Sequence, residues 1–204
     1  ISIIGLAFCL GRAVSRLLKL TFVGNAEELS VSIMLGTGTL GLAIFGLGII
    51  GLLRPLPVII LMIVCLALTR SEIKRLRQFG KELLSRCRAD ISALVLVLLF
   101  CLLLIILFLR TATPPIAPDE TIYHLSVAKL FVQQGRIYPL YDNFSGNLPF
   151  LIQMLYAVCL LAKSDIAAKL VSLLLAVTTA VGLYAFCGRF LSRATGWIAL
   201  FGFW

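Results

Sequence analysis

Long apolar runs separated by short polar segments are the main pattern along this chain. An uncharged helix of about 20 residues is long enough to cross the hydrocarbon of a membrane. The pattern predicts an all-α fold: a polytopic transmembrane helical bundle with one extracytoplasmic amphipathic helix. Residues 1–23 read as the end of a span that continues into a basic interfacial helix. Five further apolar runs are predicted to span: 30–53, 57–69, 91–109, 148–162 and 166–186.

The basic segment 70–90 determines the predicted orientation. It carries seven lysines and arginines against three acids, and such segments stay in the cytoplasm. The uncharged run 91–109 must then deliver the loop 111–146 to the extracytoplasmic side. Strict alternation of the following spans also puts Arg189 and Arg193 outside, which conflicts with the same rule.

Composition supports a membrane class and excludes nucleic acid as a partner. The chain is 61% hydrophobic and 13% charged, against about 25% charged residues in a soluble domain. Its net charge of +9 is explained by cytoplasmic loops that face anionic lipid headgroups. We predict a multi-pass protein of the cell (inner or plasma) membrane, truncated at both ends because it starts and stops inside apolar runs. It divides into N-terminal helices with the basic loop, 1–90, and a second module, 91–204.

Glycines are frequent in the run 30–53 and include a formal G-x-G-x-x-G. A dinucleotide site needs a strand before that motif and a helix N-terminus at the phosphates, whereas this copy lies within an apolar helix. We instead expect the glycines to let neighbouring helices approach closely. They are Gly36, Gly38, Gly41, Gly46, Gly48 and Gly51. The six scattered cysteines show no metal-like or disulfide-like spacing and are expected to pack as small hydrophobic side chains.

Two adjacent carboxylates, Asp119 and Glu120, open the helix predicted inside the loop 111–146. Pro118 suits the first helical position and Gly135 suits the end of the helix. Apolar residues recur along one face, so we expect this helix to lie at the membrane interface and to hold both carboxylates at headgroup height. That face comprises Tyr123, Val127, Leu130 and Phe131.

The loop contains the candidate chemistry of the chain. Asp119 and Glu120 could act as a general base and a supporting charge, although a helix N-terminus favours such charges by about 0.3–1 kcal/mol without any catalysis. His124 lies four residues after Glu120, so the two could hold a divalent metal ion or share a hydrogen bond. Two ligands leave a zinc set incomplete, so no cofactor is certain. Lys129 and Arg136 could bind a phosphate or extend to the headgroups.

From residue 91 onward the sequence resembles the GT-C superfamily of membrane glycosyltransferases, in the branch of protein O-mannosyltransferases and lipid A aminoarabinose transferases. The resemblance rests on a span, an external loop opening on Asp119-Glu120 with Tyr123 three residues on, and an amphipathic helix. A Gly-Asn-Leu-Pro start of the next span at 146–149 and a basic, glycine-containing stretch at 188–196 complete it. The family often has two adjacent prolines where only Pro149 stands here.

The resemblance implies an inverting glycosyltransferase that uses a polyprenyl-phosphate-linked sugar and an acceptor hydroxyl. Asp119 would be the base, Glu120 would support it or hold a metal, and four residues would bind substrate: Tyr123, His124, Lys129 and Arg136. One carboxylate acting as general base accelerates such a reaction by about 10²–10⁴-fold. The alternatives are a transporter or flippase-like protein, and a non-catalytic assembly subunit whose glycine-rich helix is the partner surface.

Overall fold

The structure, a computed structural model, describes residues 3–75, 91–114, 122, 124–141 and 151–204. These residues form eight α-helices: α1 Ile3–Leu17, α2 Asn25–Ile49, α3 Pro55–Leu68, α4 Ile91–Thr111, α5 Leu125–Gln134, α6 Leu151–Leu161, α7 Asp165–Phe190 and α8 Arg193–Gly202. A 3₁₀ turn, Arg70–Glu72, follows α3. No β-strand occurs in the described ranges, so the all-α class is confirmed for them.

Three helices are long and apolar enough to cross a membrane: α2, the part of α4 from Leu94 to Thr111, and α7. They confirm the long apolar helices predicted at 30–53, 91–109 and 166–186 and indicate a membrane protein. The runs predicted at 57–69 and 148–162 correspond to the shorter helices α3 and α6, of 14 and 11 residues.

Local sequence signals explain several helix ends. Pro55 occupies the first position of α3, where its missing N–H costs nothing. The Ser164 hydroxyl accepts a hydrogen bond from the Ala167 N–H at 3.1 Å and caps the start of α7. Gly135 ends α5 in the left-handed conformation (φ 68°), as the sequence predicted, because glycine has no Cβ to oppose it.

Helices α1 and α2 pack in direct backbone contact through glycines. A Cβ on Gly36 would overlap the Ala7 carbonyl, and one on Gly11 would overlap the Ser32 carbonyl. Gly41 lies against the Leu151 carbonyl, which would be 2.8 Å from an added Cβ. Close approach is therefore confirmed for Gly36 and Gly41, and Gly48 likewise faces the Ile137 side chain. An added Cβ would meet no described atom within 4 Å at the other three predicted positions, Gly38, Gly46 and Gly51.

Helix α6 is the most enclosed helix, with seven of its eleven residues buried. It starts beside Gly41, eight residues before the end of α2, which corresponds to about 12 Å of helix. From there it runs toward the start of α7, where Lys129 of α5 pairs with Asp165. Because α6 begins partway along α2 and is short, it does not run the full length of that helix.

The helices have two distinct ends. At the loop end, the residues after α2 bond to those after α5 (Leu53 N–H to Gly135 O, 2.9 Å), and Lys169 near the start of α7 donates to Thr113 O after α4 at 3.0 Å. The basic end comprises the end of α1, the start of α2, the Arg70–Glu72 turn and the end of α7.

Arg189, in the last turn of α7, belongs to the basic end because its Nη1 donates to Glu27 Oε1 at 2.6 Å. The expectation that Arg189 lies on the side of the 111–146 loop is therefore wrong. The error arises from α6, because strict alternation treats this short helix as a full crossing of the membrane. Since α6 returns to the loop end, α7 runs from the loop end to the basic end.

The main hydrophobic core lies around α6, between α2 and α5. Leu40 and Ile44 of α2, Phe131 of α5, and Met154 and Leu155 of α6 are each at most 2% exposed. Helix α4 differs, because no residue of its Leu94–Thr111 stretch is buried. An apolar helix with no buried residue is suited to a lipid environment.

Candidate functional site

The predicted loop site is described only in part. Asp119, Glu120 and Tyr123 lie outside the described residues, so their catalytic and binding roles stay predictions. His124, Lys129 and Arg136 are described, and all three lie on or next to α5; His124 precedes the helix and Arg136 follows it, so about 15 Å of helix separates these two residues. The part of the predicted site that can be described is therefore the part carried by α5 and its two flanking residues.

His124 directly precedes α5 and has helical backbone angles (φ −63°, ψ −52°). Its Nδ1 is 2.7 Å from Nε2 of Gln153, in the first turn of α6. Gln153 is only 8% exposed. The structure thus connects a predicted substrate-binding residue with a buried amide that the sequence analysis did not single out. A lone polar residue within the apolar sequence LIQMLYAVCLL was the available signal, because polar side chains in such helices require partners.

Lys129 pairs with Asp165, with 3.3 Å between Nζ and Oδ2. The side chains are 53% and 36% exposed, so solvent screens the pair and its contribution to stability is small. The nearby carboxylate also compensates part of the charge that Lys129 would offer to a phosphate. The phosphate-binding role of Lys129 stays a prediction.

A second arginine, Arg54, packs against Gly135, the residue before Arg136. Leu53 N–H donates to Gly135 O at 2.9 Å, and Ile137 N–H donates to Gly48 O at the same distance. These bonds join the α2–α3 connection to the segment after α5. Arg54 Nε would lie 3.3 Å from a Cβ on Gly135. Both arginines are exposed, and neither has a carboxylate partner among the described side chains.

Arg54 was missed because its distance from Arg136 along the chain is large. The sequence indicated only a turn at Arg54-Pro55-Leu56-Pro57. Arg54 packs against Gly135, whose missing side chain leaves room for the arginine.

A metal centre has no support in the described part of the chain. No group of three or more His, Cys, Asp or Glu side chains is arranged to hold an ion there. Glu120 lies outside that part, so the Glu120–His124 metal pair stays a prediction.

The basic end contains an ion-pair cluster of five side chains: Arg12, Arg16, Glu28, Glu72 and Arg75. Arg12 contacts both glutamates, with 2.8 Å from its Nε to Glu72 Oε2. Arg16 also contacts Glu72, and Arg75 Nη2 lies 2.9 Å from Glu28 Oε2. The glutamates are 5% and 1% exposed. The cluster joins α1, the start of α2 and the segment after α3.

Electrostatics identify this cluster as structural. Burial, with the nearby charge of Arg75, lowers the pKa of the Arg12 guanidinium, but an arginine remains charged at neutral pH. Both buried carboxylates are matched by arginines, as buried charges require. The sequence analysis missed these acids, although Glu27 and Glu28 are adjacent at the start of a long apolar run, a pattern comparable to Asp119-Glu120.

An apolar cavity of about 280 Å³ lies between α2, α6 and α7. The Thr37 and Thr179 hydroxyls at its wall bond to carbonyls of their own helices. Those bonds leave a predominantly hydrocarbon surface. It is lined by Met34, Thr37, Gly38, Leu151, Ile152, Leu155, Leu175 and Thr179.

Comparison with protein families finds one match. Residues 1–137 fit a family model described as a domain of unknown function (DUF8201). The chain belongs to this family. The DUF8201 match includes the ion-pair cluster, Arg54, His124 and Arg136, and it ends before α6. No curated protein and no solved structure matches the chain.

Proposed function

We propose that this DUF8201 member is a polytopic membrane glycosyltransferase that acts at its loop end. It would transfer a sugar from a polyprenyl-phosphate-linked donor to an acceptor hydroxyl on the extracytoplasmic side of the cell membrane. One observation carries the proposal: at the loop end Arg54 packs against Gly135, the residue before Arg136, and both arginines are exposed. Exposed guanidinium groups without carboxylate partners in the described residues are suited to a phosphate.

The distribution of charge supports the proposed sidedness. Arg12, Arg16 and Arg75 gather at the basic end, and Arg189 joins them. With α6 returning to the loop end, these arginines share one side, as the positive-inside rule requires of a cytoplasmic side. The loop end is then extracytoplasmic, and the conflict created by strict alternation disappears.

The proposed reaction is a single displacement at the anomeric carbon. The acceptor oxygen forms a bond to that carbon while the bond from the carbon to the phosphate oxygen breaks. Asp119 takes the acceptor proton, and polyprenyl phosphate leaves with the bonding electron pair. Arg54 and Arg136 stabilise the leaving phosphate, while Glu120, Tyr123 and His124 hold the reacting groups. The apolar cavity is consistent with a lipid-linked donor, because its wall offers hydrocarbon contacts.

The transporter alternative receives less support from the charges. Ionisable residues that define a transport path face a cavity or a water-filled route within the membrane. Glu28 and Glu72 are buried, but both are paired with arginines at helix ends. These two glutamates therefore contribute to helix packing. Among the described residues, no acidic side chain lines the apolar cavity.

The decisive experiment is a transfer assay with the purified chain in detergent. A panel of short-chain polyprenyl-phosphate hexoses is supplied with and without membrane extract as acceptor source, and release of polyprenyl phosphate is measured. Asp119→Asn should reduce release by about 10²–10⁴-fold. Asp165→Asn is the matched control, since it neutralises another loop-end carboxylate and should retain activity. Release that Asp119→Asn does not change, or no release from any donor, would contradict the proposal.

Sidedness has its own test. In a chain without native cysteines, Tyr141→Cys reports on the loop end, because Tyr141 is 94% exposed. Val23→Cys, at a residue 74% exposed between α1 and α2, reports on the basic end. A membrane-impermeant thiol reagent should label only Tyr141→Cys in intact cells and both variants after lysis. The reverse pattern would put Arg54 and Arg136 in the cytoplasm and exclude extracytoplasmic transfer.

A further inference from the structure

Gln153 is a buried polar residue in a helix whose other residues are almost all apolar. It lies in the first turn of α6 and is flanked by Ile152 and Met154. An amide in such surroundings is disfavoured unless a hydrogen bond compensates for lost water. His124 provides that bond from outside α6, with 2.7 Å between Gln153 Nε2 and His124 Nδ1.

The atoms that this hydrogen bond joins imply a state of the imidazole. With the amide nitrogen of Gln153 toward the ring, Gln153 donates, and Nδ1 of His124 accepts and carries no proton. In a neutral ring the proton then resides on Nε2. An amide turned by 180° would present its oxygen and demand the opposite tautomer. Gln153 therefore acts on the chemistry of the ring as well as on its position.

We propose that Gln153 is a positioning residue that holds His124 as the Nε2–H tautomer. Helix α6 is a suitable support, because its backbone packs against Gly41 of α2 and most of its side chains are buried. A rigid, buried partner maintains the orientation of a functional side chain better than an exposed one. A role of the ring in binding the sugar donor or the acceptor rests on the proposed function; the tautomer itself does not.

The histidine composition makes the test direct. The chain contains one histidine, so ¹⁵N-histidine labelling of the whole chain in detergent gives one pair of ring-nitrogen signals. At pH 9, where imidazole is neutral, the unmodified chain should show a protonated Nε2 and an unprotonated Nδ1. Gln153→Leu removes the donor and should shift both signals toward a mixture of tautomers. A protonated Nδ1 in the unmodified chain, or signals unchanged in Gln153→Leu, would overturn the proposal.

Two further variants keep the test interpretable. Gln133→Leu changes an exposed glutamine of α5 and should leave the ring signals unchanged. Gln153→Glu replaces the donor with an acceptor, so it should move the proton to Nδ1 even if Gln153→Leu fails to fold. Retention of the Nε2–H tautomer in Gln153→Glu would show that the amide does not select it.

Transfer activity separates this inference from the proposed function. Gln153→Leu should lower kcat by about 10–100-fold, the loss typical when a hydrogen-bond partner that orients a metal-bound histidine is removed, while Gln133→Leu should not. If no donor is turned over, the proposed function fails and the tautomer result stands. If Asp119-dependent transfer survives Gln153→Leu although the tautomer changes, the positioning role in catalysis is wrong.

Discussion

The two ends of this protein use charge in opposite ways. At the basic end, Glu28 and Glu72 are almost fully buried and are paired with arginines from other segments. At the loop end, Arg54 and Arg136 are exposed and have no carboxylate partner among the described side chains. The comparison indicates that charge at the basic end holds helices together, whereas the two loop-end arginines make no ion pair with a described side chain; their binding of a ligand is the proposal to be tested.

The magnitudes of the interactions agree with this division. Removing one partner of a buried pair leaves a desolvated charge and costs about 3–5 kcal/mol. An exposed pair such as Lys129–Asp165 contributes about 0–1 kcal/mol. Substitutions at the basic end should therefore reduce stability, and substitutions at the loop end should change binding or activity at nearly constant stability.

Glu72→Leu should produce the largest loss of stability. It removes a carboxylate that Arg12 and Arg16 both contact, so the free energy of unfolding should fall by about 3–5 kcal/mol. The measurement is the temperature at which monodisperse protein is lost on size-exclusion chromatography in detergent. Asp165→Asn, at the exposed pair, should change this temperature little. Equal losses for the two variants would remove the distinction between the ends.

Gly36→Ala should give the next largest loss of stability. Gly36 packs against α1, and α1 supplies Arg12 and Arg16 to the ion-pair cluster. The added Cβ would overlap the Ala7 carbonyl, and overpacking of this kind costs about 1–3 kcal/mol, occasionally more. The matched control is Gly46→Ala in the same helix, where an added Cβ meets no described atom within 4 Å. Comparable thermal stability in the two variants would mean that α1 and α2 do not pack through Gly36.

Local signals made much of the helical architecture predictable. The apolar runs at 91–109 and 166–186 marked two long helices, and Gly135 marked the end of α5. Each of these signals depends on residues that are adjacent in sequence. The role of α6 could not be predicted in this way, because a run of apolar residues looks the same whether it crosses a membrane or turns back beside Gly41.

Contacts between distant segments account for the rest. In the sequence Glu72 is one acid within a basic segment. Its partners Arg12 and Arg16 come from α1, so the local sequence did not indicate the pairing. Arg54 reaches Gly135, the residue before Arg136, only because backbone hydrogen bonds join the segments that carry them. His124 was a candidate from its spacing to Glu120, but its contact with Gln153 required the position of α6.

Arg54→Gln and Arg136→Gln should each weaken phosphate binding without unfolding the chain. One lost charge-assisted hydrogen bond corresponds to about a tenfold rise in Kd. Farnesyl phosphate is a practical probe, with binding followed by isothermal titration calorimetry in detergent, and farnesol reports any contribution of the lipid part alone. An unchanged Kd for farnesyl phosphate in both variants would show that the arginine pair does not bind the phosphate.

Lys129→Gln should have the smallest effect, and it tests how Asp165 modifies the loop end. Since Asp165 compensates part of the Lys129 charge, the Kd for farnesyl phosphate should change less than in Arg136→Gln. The stability change should stay below about 1 kcal/mol, because the pair is exposed. Asp165→Asn removes the compensating charge and should tighten binding, provided that Lys129 is present. If Lys129→Gln weakens binding as much as Arg136→Gln, Lys129 contacts the phosphate directly despite its ion pair, as its position in the sequence first indicated.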